Sequence, residues 1–270
     1  MSRPSSPVAL IDPDSVSGDV QPDWDYADKG NPKAIRLRSD ISPHPQKVLD
    51  IGTGSGHWAI GFAEKYSSAE VIGVDICPPE LERMPANMRV VMDNINEMWT
   101  YKPETFDLIH VRDLSGSIYD WQEFYKCAYR CLKPGSWINQ VEVSTTFKSL
   151  VNPITSDHVL SQWSSALIEA GERAGKTVKI AELARQYIEN AGFSKVEDIV
   201  FPVPVGAWAA GERQKEIGRL NLAQLTKDLE GLALRPLTKA MKCCYTEVQE
   251  IIQQVEVALK QSNKCIYSEM

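Results

Sequence analysis

The sequence lacks the features that mark secreted, membrane-spanning and nucleic-acid-binding proteins. No apolar run approaches the ~20 residues of a transmembrane helix, and the first residues hold no signal-peptide core. The 270 residues carry 29 lysines and arginines against 36 aspartates and glutamates, a formal net charge of −7. We therefore expect no nucleic acid and no membrane as a partner, and a cytoplasmic location, with the nucleus as the alternative.

Cysteines are few and irregularly spaced. None of the six forms a C-x-x-C pair, so the sequence predicts reduced thiols in an intracellular protein. Cys127 and Cys131 are one helical turn apart, but no histidine pair accompanies them. Packing therefore explains this pair better than zinc, and we expect no metal site.

The central feature of the sequence is a strand–turn–helix unit at 47–60. Its first residues, Lys47-Val48-Leu49-Asp50-Ile51, contain the apolar run of a buried parallel strand. The turn reads G-x-G-x-G at Gly52, Gly54 and Gly56, with Thr53 after the first glycine, and glycines let the backbone approach a ligand closely. The helix that follows directs its free amide groups and positive dipole end at the turn.

Two acids narrow the choice of ligand. Dinucleotide-binding turns read G-x-G-x-x-G and hold a pyrophosphate, which the carboxylate of Asp50 would repel. A cationic ammonium group would be attracted instead. Asp75 ends the next apolar run, where an acid can accept hydrogen bonds from ribose hydroxyls. An amino group and a ribose without phosphate describe S-adenosylmethionine. The alternative is a doubly wound fold whose glycines serve only the packing of the turn.

The remaining pattern alternates between strands and helices and then becomes mainly helical. Five strands are predicted at 47–52, 70–76, 88–93, 106–112 and 137–143, and a sixth at 193–205. Helices are predicted at 56–66, 119–132, 156–173 and 178–191, with a helical turn near 80–84 and a mixed, mainly helical stretch at 208–240. A final helix opens with a capping box at Thr246–Gln249 and carries an apolar stripe that ends at Leu259.

These elements predict one α/β domain with an added tail. Residues 1–25, rich in proline, serine and aspartate, are expected to be disordered. Residues 26–270 form a single domain, with a cofactor-binding half at 47–145 and helical substrate or lid elements, including strand six, at 150–262. The basic run at 26–42 is interpreted as a lid over the cofactor or as a solvated lead-in.

On these motifs the chain resembles class I S-adenosylmethionine-dependent methyltransferases, in particular the fungal LaeA-like group of secondary metabolism. The resemblance spans about 47–262 and is strongest at Val48–Ile60, Val71–Asp75, Phe106–Trp121, Tyr129–Trp137 and Lys215–Leu220. It implies a Rossmann-like sheet with helices on both faces, helical C-terminal additions and S-adenosylmethionine as cofactor. The family's sheet has seven strands, of which only the last is antiparallel.

The resemblance also assigns cofactor-binding residues by position. Asp50 and the turn (Gly52, Thr53, Gly54, Gly56) would hold the methionine end of the cofactor, and Asp75 the ribose; Ile76 is also assigned to the cofactor. Asp93 and Asn94 would face the adenine. The segment His110-Val111-Arg112 would line the boundary between cofactor and substrate, with Val111 on the cofactor side.

The sequence departs from the family at both ends. The stretch 23–42 is shorter and differently patterned than the family's N-terminal lid. After the last helix the sequence leaves room only for a final strand that is short or missing. An exposed sheet edge would result, and a homodimer or a partner protein across that edge is one hypothesis.

Catalytic and substrate-binding residues are less strongly marked. His110, at the end of strand four, is the best candidate for a general base, unless it points away from the site. His158 is a second candidate, whereas His57 is interpreted as a helix-start residue. Arg112 either positions substrate or forms an ion pair with Asp113.

Aromatic side chains supply the candidates for an acceptor pocket. Tyr119, Trp121 and Trp163 either line such a pocket or belong to the core.

Three functions follow from this pattern. The first is methyl transfer from S-adenosylmethionine to a small natural-product acceptor. The second keeps the fold but turns the pocket to cyclase, pericyclase or isomerase chemistry in a biosynthetic pathway. The third is a non-catalytic regulatory subunit.

Overall fold

A computed structural model describes residues 45–77, 83–261 and 264–270 of the chain. The disordered tail predicted at 1–25, the lid predicted at 26–42 and most of the helical turn predicted near 80–84 lie outside the described residues. The strands of the described residues, in chain order, are β1 Lys47–Ile51, β2 Glu70–Asp75, β3 Met88–Met92, β4 Phe106–Arg112, β5 Leu132–Val141, β6 Phe147–Ser149, β7 Pro202–Pro204 and β8 Ile266–Glu269. The helices are α1 His57–Lys65, α2 Trp121–Cys131, α3 Val159–Arg173, α4 Ile180–Asn190, α5 Glu212–Arg235 and α6 Tyr245–Leu259, with a π-helical turn at Pro236–Ala240.

Five strands form a parallel sheet in the order β3-β2-β1-β4-β5. The chain runs from β1 outward to β3 and then returns to place β4 on the other side of β1. The strand order therefore reverses between β1 and β4, and ligands of such sheets bind outside the carboxyl ends of the strands at this point. The glycine turn after β1 lies there.

Helices cover both faces of this sheet, as expected. Alternate residues of each strand point to opposite faces, so β1 contributes Val48 to one core and Leu49 to the other. The first core packs α1 on the sheet through side chains such as Phe62. The second packs α2 and α4 on the opposite face through side chains such as Tyr125 and Ile180. The predicted fold class is confirmed.

The C-terminal helices have a core of their own. Side chains from α3, α5, α6, the π-helical turn and β8 form it, among them Leu160, Leu229, Val255 and Ile266. The apolar stripe predicted for the last helix is buried in this core, since Val248, Ile252, Val255 and Leu259 are all less than a tenth exposed. This helical cluster stands over the carboxyl end of the parallel sheet and forms the far wall of the cleft described below.

The final strand is short, as predicted, but it joins a separate sheet. β8 lies between β6 and β7 and is antiparallel to both. β6 was not predicted from the sequence. The strand predicted at 193–205 is present only as β7, Pro202–Pro204. Prolines at both ends of that strand lack the N–H of a ladder hydrogen bond, which limits the pairing to a few residues.

Two further boundaries differ from the prediction. Strand five begins at Leu132 instead of 137. The residues Lys133-Pro134-Gly135 follow the end of α2, as predicted, but they continue as part of the strand. The pairing with β4 shifts its register opposite Phe106–Leu108. The capping box of α6 lies two residues earlier than predicted: the backbone N–H of Cys244 donates to Glu247 Oε2 at 2.7 Å.

No helix among the described residues is long and apolar enough to cross a membrane.

Candidate functional site

A cleft of about 1500 Å³ lies at the carboxyl end of the parallel sheet. Its sheet half is lined by residues of 52–61, 74–76 and 93–96, which follow β1, β2 and β3. Its helix half is lined by residues of α3, α5 and the π-helical turn. Residues 112–117 and 142–145, after β4 and β5, line the junction between the two halves. The cleft is thus a single space with two chemically different ends.

The glycine turn is fastened to the neighbouring strand. The backbone N–H groups of Gly52 and Thr53 both donate to Val74 O, at 2.8 and 3.0 Å. Gly52 has a φ of +72°, and a Cβ on it would lie 2.5 Å from Leu114 Cδ2. A side chain at this position would therefore be strained and would displace the loop after β4. Gly56 has a φ of +76° and precedes the first residue of α1, as the turn pattern predicts.

Asp75 ends β2 and lines the sheet half. Its Oδ2 accepts from the N–H of Gly54 at 2.8 Å, and its Oδ1 accepts from the N–H of Cys77 at 3.0 Å. Each carboxylate oxygen keeps a lone pair beyond these bonds. The carboxylate is therefore held at the cleft wall, with acceptors left for hydroxyl donors. Ile76, next to it, is 70% exposed and also lines the cleft.

The segment after β3 adds polar groups to the same half. Asp93 and Asn94 line the cleft, and Asp93 Oδ1 accepts from the N–H of Asn94 at 2.8 Å. Asn96 links this segment to the loop before α2: its Nδ2 donates to Ser117 O at 3.1 Å, and its Oδ1 accepts from the N–H of Tyr119 at 2.9 Å. The structure therefore brings Asp75, Ile76, Asp93 and Asn94 to one wall.

Asp50 differs from the prediction, because it lies behind the cleft wall. It is 3% exposed and is absent from the lining, whereas Thr53, which donates its hydroxyl to Asp50 Oδ2 at 2.6 Å, lines the cleft. Burial raises the pKa of Asp50 to about 6, and the hydroxyl of Thr53 and the charge of Arg112 oppose this rise. Asp50 thus orients Thr53, which lines the cleft, and is not itself part of the lining.

His110 also lies behind the wall, which argues against its predicted role as a base. Its ring stacks on the indole of Trp58, with centroids 3.8 Å apart and planes 7° apart, and it is Trp58 that lines the cleft. Nδ1 bonds to Asn139 Oδ1 at 2.8 Å, while Nε2 is buried without a partner among the described residues. Burial lowers the pKa of His110 to about 3, so the ring is neutral.

Arg112, two residues further along β4, does reach the cleft. Its Nε lies 3.7 Å from Asp113 Oδ2, so the ion pair that the sequence left open is present. Both side chains line the cleft and are partly exposed. Arg112 therefore brings a positive charge to the junction, in front of Asp50. Val111, assigned to the cofactor, is fully buried in the core and does not line the cleft.

Two of the three aromatic candidates for the acceptor pocket line the cleft, and the third does not. Trp163, on α3, is 3% exposed and lines the helix half. Tyr119 is 62% exposed and lines the cleft with Lys176 Nζ 4.1 Å above its ring. Trp121 packs in the core with Phe124 and Tyr125 and is not part of the lining, because the first turn of α2 directs it onto the sheet. Trp163 and Tyr119 stay candidates for the acceptor, whereas Trp121 does not.

The helix half belongs to the segment 150–262, which the sequence assigns to substrate or lid elements, but of its lining residues only Trp163 was predicted. Its walls are mostly apolar and include Leu167, Leu225 and Leu229. Its polar members are Asn221, Gln224, Asp228, Arg235 and Lys239. Asn221 is 5% exposed, and its Nδ2 donates to Pro204 O at 2.9 Å. Mostly apolar walls with a few fixed polar groups are typical of sites for small organic molecules.

Glu142, at the junction, is a titratable cleft residue that was not among the candidates predicted from the sequence. It is 6% exposed, lines the cleft and follows β5 directly. Burial raises its pKa to about 7, and hydrogen bonds from the backbone of Leu114 and Ser115 oppose this rise. The signal was present in Val141-Glu142-Val143, an acid at the end of an apolar strand, as are Asp50 and Asp75.

Comparison with known proteins places this geometry in a family. Residues 24–198 match the model of a family described as a methyltransferase domain. The chain is 36% identical over 200 residues to the secondary metabolism regulator LAE1 of Cochliobolus heterostrophus, an alignment that covers 73% of this chain and 65% of that protein. It is 30% identical over 202 residues to the methyltransferase pytC of Aspergillus terreus, with 74% of this chain and 62% of that protein covered.

The chain thus spans a little over three fifths of the length of these relatives. Among solved structures, phosphoethanolamine N-methyltransferase 2 of Haemonchus contortus in complex with S-adenosyl-L-methionine is similar with a TM-score of 0.45 and 20% identity. That similarity covers 83% of this chain and 47% of the other.

Proposed function

Because the chain belongs to the methyltransferase-domain family, we propose that it is an S-adenosylmethionine-dependent methyltransferase with a small organic molecule as methyl acceptor. The observation that carries this proposal is the continuous cleft. Its sheet half offers the groups that a nucleoside and an amino acid need, and its helix half offers an apolar space next to them. The names of the relatives favour an acceptor from fungal secondary metabolism.

The residues of the sheet half fit the cofactor. Gly52 and Gly54 bring backbone without side chains to the cleft wall, and Asp75 keeps lone pairs for the ribose hydroxyls. Asp93 and Asn94 line the same wall and would face the adenine, and the exposed side chain of Ile76 would offer an apolar surface to the cofactor. Thr53, backed by Asp50, would meet the methionine end.

When it is bound, the sulfonium of the cofactor supplies an activated methyl group and a neutral leaving group, so the protein needs to contribute little covalent chemistry. The chain's own residues contribute orientation, which can be worth ~7–11 kcal/mol for two reactants held in line. The junction residues separate the two ligands. Trp163 and the leucines of the helix half exclude water from the acceptor.

A thermal-shift titration with S-adenosylmethionine and S-adenosylhomocysteine tests the proposal. Saturation to about 100 times the dissociation constant should stabilise the fold by about 2.7 kcal/mol. Transfer of a labelled methyl group to a small-molecule extract of the source organism then tests the acceptor class. Binding without any transfer would favour the repurposed-enzyme or regulatory reading, and no shift with either compound contradicts the proposal.

A further inference from the structure

The loop after β4, Asp113–Gly116, lies at the junction of the two halves of the cleft and is hereafter called the β4 loop. It is fastened at both ends by backbone hydrogen bonds: the N–H of Asp113 donates to Val141 O at 3.1 Å, and the N–H of Gly116 donates to Thr177 O at 3.0 Å. Ser115 Oγ donates to Val178 O at 3.1 Å. None of these contacts depends on a titratable group.

The middle of the loop is held differently. The N–H of Leu114 donates to Glu142 Oε1 and the N–H of Ser115 donates to Glu142 Oε2, both at 3.1 Å. Gln140 Nε2 donates to Oε1 at 3.2 Å. Three donors converge on one buried carboxyl group, and an ionised carboxylate is the form that accepts from all of them. A protonated carboxyl group is a weaker acceptor than a carboxylate, so a proton on Glu142 would weaken its hold on these donors.

Leu114 connects this carboxylate to the glycine turn. A Cβ on Gly52 would lie 2.5 Å from Leu114 Cδ2, so the leucine side chain occupies the space directly beside the turn. Leu114 is 8% exposed and also lines the cleft. If the β4 loop were released, Leu114 would move relative to the wall that we assign to the cofactor. Through this contact, the ionisation of Glu142 can affect the position of the wall of the sheet half.

The surroundings of Glu142 allow its charge to change near neutral pH. Burial raises the pKa of the carboxyl to about 7, and the negative charge of Asp113 adds to the rise. Arg112 at the end of β4, Asp113 after it and Lys176 before α4 line the same cleft. Tyr125 on α2 lies close enough for the charge of Glu142 to act on it, and Glu182 on α4 accepts from Ser144 Oγ, two residues further along the chain. Tyr125 donates to Gln140 Oε1 at 2.5 Å, and burial raises its pKa, so it stays neutral.

We propose that Glu142 is a positioning residue of the cofactor site: its carboxylate holds the β4 loop against the glycine turn, and S-adenosylmethionine and its demethylated product bind to the form so held. This inference rests on the proposed function, because it assigns the sheet half to that cofactor. In this role Glu142 acts through Leu114 and Ser115, whose N–H groups it holds.

The chain contains a matched control at the other end of the sheet. Asp107 Oδ2 also accepts from two consecutive backbone N–H groups, those of Gln46 and Lys47, at 3.1 and 2.8 Å. It lies on β4 but not in the cleft lining. Asp107→Asn removes the same kind of contact as Glu142→Gln, together with an ion pair in which Lys133 Nζ lies 2.7 Å from Asp107 Oδ1, so it should weaken the fold without altering the cofactor site.

The experiment measures binding of S-adenosylhomocysteine by titration calorimetry from pH 6 to pH 8, with the wild-type protein, Glu142→Gln and Asp107→Asn. A carboxyl group with a pKa of about 7 is about one-tenth ionised at pH 6 and nine-tenths at pH 8. If the ionised form binds, the affinity of the wild type should rise about tenfold over this range. Glu142→Gln should bind about tenfold more weakly at pH 8, with a flat profile, and Asp107→Asn should follow the wild type.

A second measurement needs no ligand. Hydrogen exchange should show the amides of Leu114 and Ser115 less protected in Glu142→Gln than in the wild type, and unchanged in Asp107→Asn. If Glu142→Gln does not fold, the wild type alone decides: a flat affinity profile from pH 6 to pH 8 overturns the inference.

The failures of the two proposals are distinguishable. S-adenosylhomocysteine binding that is the same in Glu142→Gln and the wild type overturns the positioning role but leaves the proposed function intact. No binding to the wild type at any pH contradicts the proposed function and overturns the inference with it.

Discussion

The two halves of the cleft are built in opposite ways. The sheet half is made by strand ends, where backbone groups and short acids are fixed by hydrogen bonds such as that from the N–H of Gly54 to Asp75. The helix half is made by side chains, such as Trp163 and Leu229, that project from helices with a core of their own. Backbone-built walls suit a ligand that does not change, whereas side-chain walls can be altered residue by residue. The difference supports the proposal that the cofactor binds in the sheet half and the acceptor in the helix half.

The strongest test of the comparison removes the support of the helix half. Gly218 of α5 packs against Gly206: the N–H of Gly206 donates to Gly218 O at 2.8 Å, and a Cβ on Gly218 would lie 2.1 Å from Gly206 O. Because backbone cannot give way as a side chain can, Gly218→Ala should lower the free energy of unfolding by about 3 kcal/mol. Chemical denaturation measures this.

Gly231 of α5 is the matched control. A Cβ there meets nothing within 4 Å, so Gly231→Ala should stabilise the helix by about 0.5–1 kcal/mol. Similar values for the two variants would mean that α5 is not fixed against 206, and that the helix half is less rigid than described.

The next largest effect concerns the acid beneath the sheet half. The pKa of Asp50 is raised from 3.8 to about 6, so the folded protein binds the proton more tightly than the unfolded chain does. Asp50 therefore adds to the free energy of unfolding below pH 3.8. This contribution, about 3 kcal/mol, is lost as the pH rises from 3.8 to about 6.

Asp50→Asn isolates this loss. The variant should gain about 3 kcal/mol of stability relative to the wild type between pH 4 and pH 7, as measured by denaturant unfolding at each pH. His110, whose lowered pKa has the opposite sign of linkage, is common to both proteins and cancels in the difference. If the difference in free energy of unfolding between the variant and the wild type stays constant across this pH range, burial does not raise the pKa of Asp50.

A third variant separates the two halves by binding. Asp75→Asn removes a charged acceptor from the sheet half and should weaken S-adenosylhomocysteine binding about 10- to 100-fold, the equivalent of about 1.5–3 kcal/mol. Trp163→Phe, in the helix half, should leave that affinity within about twofold. Isothermal titration calorimetry measures both. Equal losses in the two variants would contradict the division of the cleft into a cofactor end and an acceptor end.

The last prediction is that His110 does not titrate in the neutral pH range. His110, whose pKa lies at about 3, should show no change in its imidazole NMR signals between pH 8 and pH 5. The stability that depends on its neutral form is complete above pH 6.5 and is lost only as the pH falls toward 3. A midpoint near 6.5 would show that the ring meets solvent, and would restore it as a candidate base.

The sequence sufficed for the sheet half because its contacts are local and follow strand ends. Gly52, Asp75 and Asp93 each stand directly after an apolar run, and parallel strands bring such positions to one edge. The same rule would have found Glu142. It could not distinguish Asp75, on the wall, from Asp50, behind Thr53, because the pattern does not give the side-chain direction in the turn.

The helix half could not be predicted in the same way. An apolar stripe shows that a helix face is buried but not which surface covers it, so Trp121 and Trp163 looked alike although only Trp163 lines the cleft. β8 pairs with β6 across more than 100 residues of sequence, and no local pattern records that pairing. A three-residue strand such as Pro202–Pro204 exists only because β8 lies beside it.

The stack of Trp58 on His110 gives the cleft an optical property. An indole next to an imidazole is quenched strongly when the imidazole is protonated, but this imidazole is neutral throughout the physiological range. Trp58 also lines the sheet half. The emission of this one tryptophan should therefore respond to an aromatic ligand in the cleft and stay constant with pH, so that the protein carries its own reporter of occupancy.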